Sequence, residues 1–420
     1  METVKIDKYP TYKDSGVEWI EEVPSHWEVK KFKRVFYEIK KRSNPELNCG
    51  SISFGKVIYK DDEKIPESTK RSYQVVLKGD FLVNPLNLNY DLISLRIALS
   101  EIDVVVSSGY IVLSNLIKLD KTYYKYFLHR FDVAFMKLLG SGVRQTLNYN
   151  DIANCDLIFP PLQEQTAIAT FLDRKTAQIE KAISIKEKQI ELLKERRQIL
   201  IHHAVTRGLN PNVKMKDSGV EWIGEIPEHW EVLFNRRLFR EKPRKINSSS
   251  EMALSLSQVD GVIPSETMKE RSLSPSHRDN FKLCLPGDLI VNRFKGHLGV
   301  FFKSEYRGII TFHYGVFEPE KGVDSKYFEL LFHTETYKII YAGASNGMTI
   351  GLQNLSNQNF YDVKSIVPPY YEQVNIIRYC KEISTKVERA ILCKEQEIAI
   401  MSEYKATLIN SAVTGKIKVT

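Results

Sequence analysis

The segment EQTAIATFLDRKTAQIEKAISIKEKQIELLKERRQILIHHAVTRGL, residues 164–209, carries apolar residues every three or four positions and contains no proline. That spacing predicts a single amphipathic helix, about 70 Å long at roughly 1.5 Å per residue. From Ile179 the inward positions step alternately by four and three through Ile183, Lys186, Ile190, Leu193, Arg197, Leu200 and Ala204, the heptad seam of a coiled coil. A helix with one apolar stripe is marginal by itself and needs a partner. The chain supplies one in residues 372–417, where the seam returns 208 positions later as Val387, Ile391, Lys394, Ile398, Met401, Lys405, Leu408 and Ala412. Even the two cationic seam positions recur. The expectation is that the two helices bury their stripes on each other, antiparallel if a local two-fold axis relates them. The alternative is that each packs only on its own domain.

The helices belong to a larger duplication. KDSGVEWIEEVPSHWEV (13–29) returns as KDSGVEWIGEIPEHWEV (216–232), identical at 14 of 17 positions. Trp19 and Trp27, matched by Trp222 and Trp230, are expected to dock this short segment onto a neighbour. His26 and His229 have no second ligand type at metal spacing beside them, which favours a structural role. Between repeat and helix lie two regions of similar length and unlike sequence, roughly 30–160 and 233–367. Both have short β-branched and aromatic runs broken by Gly, Asn and Asp, including GDFLVN (79–84) and GDLIVN (287–292), and read as mixed domains with irregular sheets. Each closes on a glycine-rich loop, GSGVRQ (140–145) or GASNG (343–347), followed by a strand and a proline pair, PPLQEQ (160–165) or PPYYEQ (368–373). The prolines stop the strand and preset the helix start. The domains are therefore placed at 1–160 and 211–367, with helical spacers at 161–210 and 368–420.

A length of 420 residues suits two or three domains, and 43% apolar with 27% charged residues is an ordinary globular composition. No run approaches 18 apolar residues, and METVKIDKYP has no apolar signal core. Five cysteines, at 49, 155, 284, 380 and 393, form no CxxC pair, which suits reduced thiols and a cytoplasmic location. The net charge of +8 is compatible with a nucleic-acid partner.

Two short motifs point to catalysis and fail on inspection. GSISFGKV (50–57) matches a phosphate loop but puts Val57 where the magnesium-binding Ser or Thr is required, and the second half lacks the pattern. VPPY (367–370) is like the Pro-Pro-Tyr motif of adenine methyltransferases, with Val367 replacing the polar residue that holds the amine and Phe159 in the same place in the first copy. The Asp61-Asp62 pair lies in a charged, loop-like stretch and suits solvation better than acid-base work.

The order of variable region, proline pair with Glu-Gln, long helix, KDSGVEWI repeat and second variable region resembles the specificity subunits of type I restriction-modification systems, across essentially the whole chain. The resemblance implies an α+β fold with two mixed α/β target-recognition domains joined by an antiparallel intramolecular coiled coil, a pseudo-two-fold internal repeat. It implies a non-catalytic chain that binds double-stranded DNA at a bipartite site, one domain per half-site, with the helices setting the gap. It further implies two methylation subunits with S-adenosylmethionine and two restriction subunits with ATP and magnesium, no cofactor residing on this chain. Base-reading candidates are Lys56, Asn87, Asn89, Arg96, Arg144 and Gln145 in the first domain, and Gln258, Arg293, Lys295, His297, Gln353 and Asn354 in the second, because such donors and acceptors suit base edges. Two other classes remain: a stand-alone DNA-binding or anti-restriction scaffold, whose helices would expose no free apolar face, and a self-contained methyltransferase or nuclease, which would need intact forms of the motifs found broken.

Overall fold

The computed structural model describes residues 7–87, 95–136, 145–242, 251–268, 281–345 and 354–419. The chain divides into two compact units, Met1–Lys186 with Glu395–Thr420, and Glu187–Lys394. The division runs through both long helices, Leu162–Arg207 and Tyr370–Val413. Each unit thus holds one variable region, the first half of the helix that follows it and the second half of the other helix. No helix among the described residues is long and apolar enough to cross a membrane.

In the first unit, four antiparallel strands lie in the order Ile97–Leu99, Phe81–Val83, Ile111–Asn115 and Phe36–Glu38. The two-residue period of a strand sends Phe81 and Val83 to one face and Leu82 to the other. Phe81 and Val83 join a large core with Phe36 and with Tyr123, Tyr124, Phe127 and Phe131 of the helix Lys121–Ala134. Leu82 joins a smaller cluster with Val76, Val104, Val106 and Val112. The second unit has the corresponding order Phe301–Lys303, Leu289–Asn292, Tyr314–Pro319 and Phe239–Glu241. There Leu289 and Val291 face a core with Tyr327, Phe328 and Phe332, while Ile290 faces Leu254, Val262 and Ile310. Two regions of unlike sequence therefore share one topology, because both preserve the alternation that buries a central strand on two faces.

The helix halves pack within each unit as the seam requires. In the first, Lys405 reaches Glu180 at 2.6 Å and Lys186 reaches Glu397 at 2.7 Å, so rising numbers on one helix meet falling numbers on the other. The pairing is antiparallel. In the second, Arg197 meets Glu388 at 3.6 Å. The charged seam positions thus face carboxylates of the opposite helix and favour one register, although half-exposed pairs of this kind add little stability. Ile190, Val387 and Leu408 are buried, while Ile179, Ile183, Leu193, Leu200, Ile391, Ile398 and Met401 are half-buried. Packing on the adjoining domain also occurs, at the start of each helix. Ile168, Ala169 and Leu172 enter the first core, and Ile376 and Cys380 the second. The stripes therefore pair with each other, and packing on the domain is added to that pairing rather than replacing it.

The repeated motifs meet at the helix starts. The Glu164 carboxylate accepts bonds from Trp27 Nε1 (2.9 Å) and Tyr9 Oη (2.9 Å) and lies 2.7 Å from His26 Nε2. In the second unit Glu372 accepts from Trp230 Nε1 (2.9 Å) and Tyr371 Oη (2.9 Å) and lies 2.6 Å from His229. The neighbouring glutamines are wholly buried. Gln165 accepts from Asp120 N and donates to Pro160 O, and Gln373 accepts from Asp324 N and donates to Pro368 O. Trp27 and Trp230 are fully buried anchors, and Trp222 stands edge-on to Tyr337. The histidines thus serve the clasp. Beyond the far end of each helix, a left-handed glycine turns the chain beside the same indole: Gly208 (φ +78°) by Trp230 and Gly415 (φ +74°) by Trp27. A Cβ on Gly415 would come within 2.5 Å of Pro24, so no larger residue fits. Buried tyrosines satisfy helix-end carbonyls that have no partner along the helix, Tyr123 Oη donating to Val413 O and Tyr327 Oη to Val205 O, both at 2.8 Å.

Removing either hydroxyl strands a buried carbonyl, so Tyr123→Phe and Tyr327→Phe should each lower stability by about 1–2 kcal/mol in denaturant unfolding. An unchanged midpoint in both would show that these bonds do not hold the helix ends. The clasp also predicts an acid dependence. Burial raises the pKa of Glu164 and Glu372, but hydrogen bonds from the indole, imidazole and phenol outweigh it and hold both carboxyls below their usual value. A depressed folded pKa gives stability that is fully present above the unfolded value of about 4.3 and is lost as pH falls through the folded one. Glu164→Gln with Glu372→Gln should therefore flatten the acid limb of stability against pH, and an unaltered limb would assign it to other carboxylates.

Candidate nucleic-acid interface

Candidate residues far apart in sequence come together at equivalent places in the two units. In the first, Leu86–Asn87 pairs with Gln145–Thr146, placing Asn87 directly across from Gln145, and Leu147 N bonds to Pro85 O. In the second, Leu355 N bonds to Arg293 O at 2.8 Å, which brings Asn354 beside the turn Arg293–Leu298. Each pair joins the segment after the GDFLVN or GDLIVN strand to the segment after the glycine-rich loop. Asn292 starts its turn by accepting from Phe294 N and Lys295 N, and Lys295 and Asn354 are both exposed. Exposed amide and ammonium groups on adjoining short segments can bond to base edges or phosphates without moving a core element.

Arg293 has a second set of partners. Its guanidinium contacts the Glu241 carboxylate at 2.9 Å and Asn357 Oδ1 at 2.5 Å, and Lys282 binds the same carboxylate at 2.9 Å. It braces the turn that presents Lys295. Arg96 is a correction to the candidate set. It is 4% exposed, its Nε bonds to Asp132 Oδ1 at 2.9 Å, and its backbone N–H bonds to Asp132 Oδ2 at 2.6 Å. A guanidinium held in the core by a buried carboxylate is not offered to a base. Asn89, Arg144 and Gln353 lie outside the described residues, as do the side chains of Asn87, Gln145 and His297.

The remaining two candidates occupy matching hairpins. Lys56 opens the second strand of the hairpin Gly50–Ser53 with Lys56–Tyr59, and Gln258 follows the first strand of the hairpin Leu254–Ser257 with Gly261–Pro264. The GSISFGKV segment is thus strand, tight turn and strand, with no helix N-terminus to cradle a phosphate. Gln258 lines a cleft of about 640 Å³ with Arg197, His202, His333 and Lys338. Arg197 is paired with Glu388 and Lys338 with Glu335, while burial and the nearby Lys326 and Lys338 push His333 down to about 4, leaving it neutral. The cleft mixes these groups with apolar side chains such as Ile201 and Leu330, and its Arg197 and Lys338 cations are compensated. Among the described residues no group of three or more His, Cys, Asp or Glu is placed to hold a metal ion. Sequence reasoning passed over Phe54 and Val259 at the hairpin tips, for which the single signal is an apolar residue where a turn is expected.

Several known proteins are similar to this chain. The family model described as the type I restriction modification DNA specificity domain matches residues 24–192. The putative type I restriction enzyme MjaX specificity subunit of Methanocaldococcus jannaschii is 23% identical, covering 95% of this chain and 96% of the relative. The MjaVIII specificity subunit of the same organism is 21% identical over 94% of each chain. Among solved structures, a chain from work on complex assembly and conformational transition of a type I R-M system matches with TM-score 0.66 at 12% identity, covering 93% of this chain and 98% of that one. The HsdS subunit from Thermoanaerobacter tengcongensis matches with TM-score 0.52 at 14% identity, covering 94% and 98%. The family model over the first half, the full-length relatives and the shared fold agree: this chain is similar, along nearly its whole length, to the specificity subunits of type I restriction-modification systems.

Proposed function

We propose that each unit of this chain reads one half of a bipartite DNA site, that the long helices set the gap between the halves, and that methylation and restriction subunits bound to the chain perform the chemistry. The observation that carries this reading is one strand order built from two unlike sequences and held by the same Trp-His-Glu clasp. Duplicated scaffold with diverged loops suits recognition of two different half-sites. Phosphate contacts would supply affinity, and the paired segments around Asn87 and Gln145, and around Lys295 and Asn354, would supply sequence readout. S-adenosylmethionine, ATP and magnesium would reside on the partner chains.

A partnered role is favoured over a stand-alone scaffold by a second apolar stripe. Ile185, Leu192 and Ile199 recur every seven residues outside the seam and are each at least half exposed. Ile400 and Leu392 of the second long helix are exposed as well. A heptad stripe facing water is what an amphipathic helix of another chain would cover.

Two results test the proposal. Leu192→Glu with Ile199→Glu should leave the melting temperature within a few degrees and abolish co-purification of methylation subunits; retained binding would place them elsewhere. Four residues inserted after Lys188 and another four after Gln396 lengthen each helix by about 6 Å at 1.5 Å per residue, close to one whole turn. The gap in the methylated site should then grow by roughly one or two base pairs, at 3.4 Å each, with both half-sites unchanged. Methylome sequencing reads this directly, and an active insertion variant with the original gap would show that the helices do not set the spacing.

A further inference from the structure

The two most exposed large apolar side chains among the described residues sit at the tips of the matching hairpins, Phe54 at 83% and Val259 at 85%. The hairpins are equivalent in the fold. The residue preceding each first strand makes an isolated parallel bridge to the same sheet position, Cys49 to Val105 and Ala253 to Ile309. Their bases are anchored, Ile52 and Val57 against one apolar cluster and Leu254, Leu256 and Val262 in the other. The tips are held out from the core while the stems are fixed.

Neither burial nor backbone preference accounts for Phe54. The register pairs Ser53 with Lys56, leaving a two-residue turn whose members both have positive φ, Phe54 at +46° and Gly55 at +72°. Such turns favour Asn-Gly or Asp-Gly, because a bulky Cβ is crowded in the left-handed region. A phenylalanine there has an unfavourable backbone, and its ring, 83% exposed, gains little burial to offset it. In the second hairpin Ser257 pairs with Gly261, and the Ser257 hydroxyl accepts from Val259 N and Asp260 N, which fixes the turn that projects Val259. Residues that gain nothing from the fold at two equivalent tips point to contact with something else. Lys56 and Lys60, exposed on the first hairpin, favour an anionic partner.

We propose that Phe54 and Val259 are apolar wedges, each inserted against the bases at one step of its half-site when DNA is bound. The inference rests on the DNA-reading function above. A two-stranded ribbon fits the major groove, and apolar side chains inserted at a base step unstack it and favour easily deformed sequences. Each wedge would thus add specificity at a step that no hydrogen bond reads.

The test uses the full chain with its methylation subunits. Its site is first selected from a randomised duplex pool, and 2-aminopurine is then placed at positions other than the methylated base. Wild type should raise the fluorescence at one step in each half-site. Phe54→Asn places a residue favoured by the turn, so thermal stability should be equal or higher. Affinity for the selected duplex should fall about ten- to a hundredfold. The slope of log affinity against log salt should not change, because no charge is removed. The fluorescence rise should vanish in one half-site only, and Val259→Asn should act on the other. Phe54→Trp should retain the signal. Unchanged affinity and fluorescence in Phe54→Asn, with wild type still selecting a site, would overturn the wedge and leave DNA reading intact. Loss of the methylation subunits with DNA binding retained would overturn it too, assigning the tips to a protein contact. If wild type enriched no sequence from the pool, the DNA-reading function would fail and the wedge with it.

Discussion

A carboxylate in the first turn of each long helix is the contact on which the rest of the structure depends. Glu164 and Glu372 each draw together an indole, an imidazole and a phenol, while the buried Gln165 and Gln373 tie the strand before the helix to the N-cap of the domain's own helix. Four elements are fixed relative to one another by about half a dozen hydrogen bonds, with the indoles and glutamines buried and the histidines at the surface. Bonds to a charged acceptor are the stronger kind, and a buried amide without partners would be costly, so the arrangement tolerates little variation. That explains why the Trp, His and Glu-Gln positions are spelled identically in two halves whose variable regions differ.

With the clasp and helices holding each unit, the variable regions need only preserve alternation. Phe81-Leu82-Val83 and Leu289-Ile290-Val291 bury the same two faces with different side chains. The internal solutions differ freely. The first unit buries an Arg96–Asp132 ion pair, while the second uses Glu241 to gather Lys282 and Arg293 beneath its exposed turn. Burial tolerates such changes because it constrains volume and polarity more than residue identity. The surface loops above these cores are then at liberty to diverge, which suits one scaffold serving two different recognition tasks.

Two sets of exposed apolar groups stand out by their regularity: the outward stripe Ile185, Leu192 and Ile199, spaced by seven, and the matching hairpin tips Phe54 and Val259. Both cases set stability against function. Water contact at the stripe is unfavourable, and so is the left-handed backbone of Phe54 beneath an exposed ring. Departures of this kind mark the places where a folded chain has been shaped by something outside itself.

The sequence by itself determined the helical seam, the duplication and the punctuation at the proline pairs, because these are local or strictly periodic signals. A 3.5-residue repeat names its buried positions wherever the partner comes from, and it places Lys186, Arg197 and Lys405 on the seam without naming the glutamates they meet. Only the tertiary structure decided which polar residues are offered to solvent and which are consumed. Arg96 and Lys56 look alike as cations in a sequence, yet one meets Asp132, 36 residues away, inside the core, and the other stands on an open hairpin. GSISFGKV resembles a phosphate loop in sequence and is a hairpin in the fold, because a glycine pattern does not state whether strand or helix follows. Asn87 and Gln145 became neighbours only through a ladder between segments far apart in the chain. Pairings across such distances depend on packing of the whole domain, which no short window of residues contains.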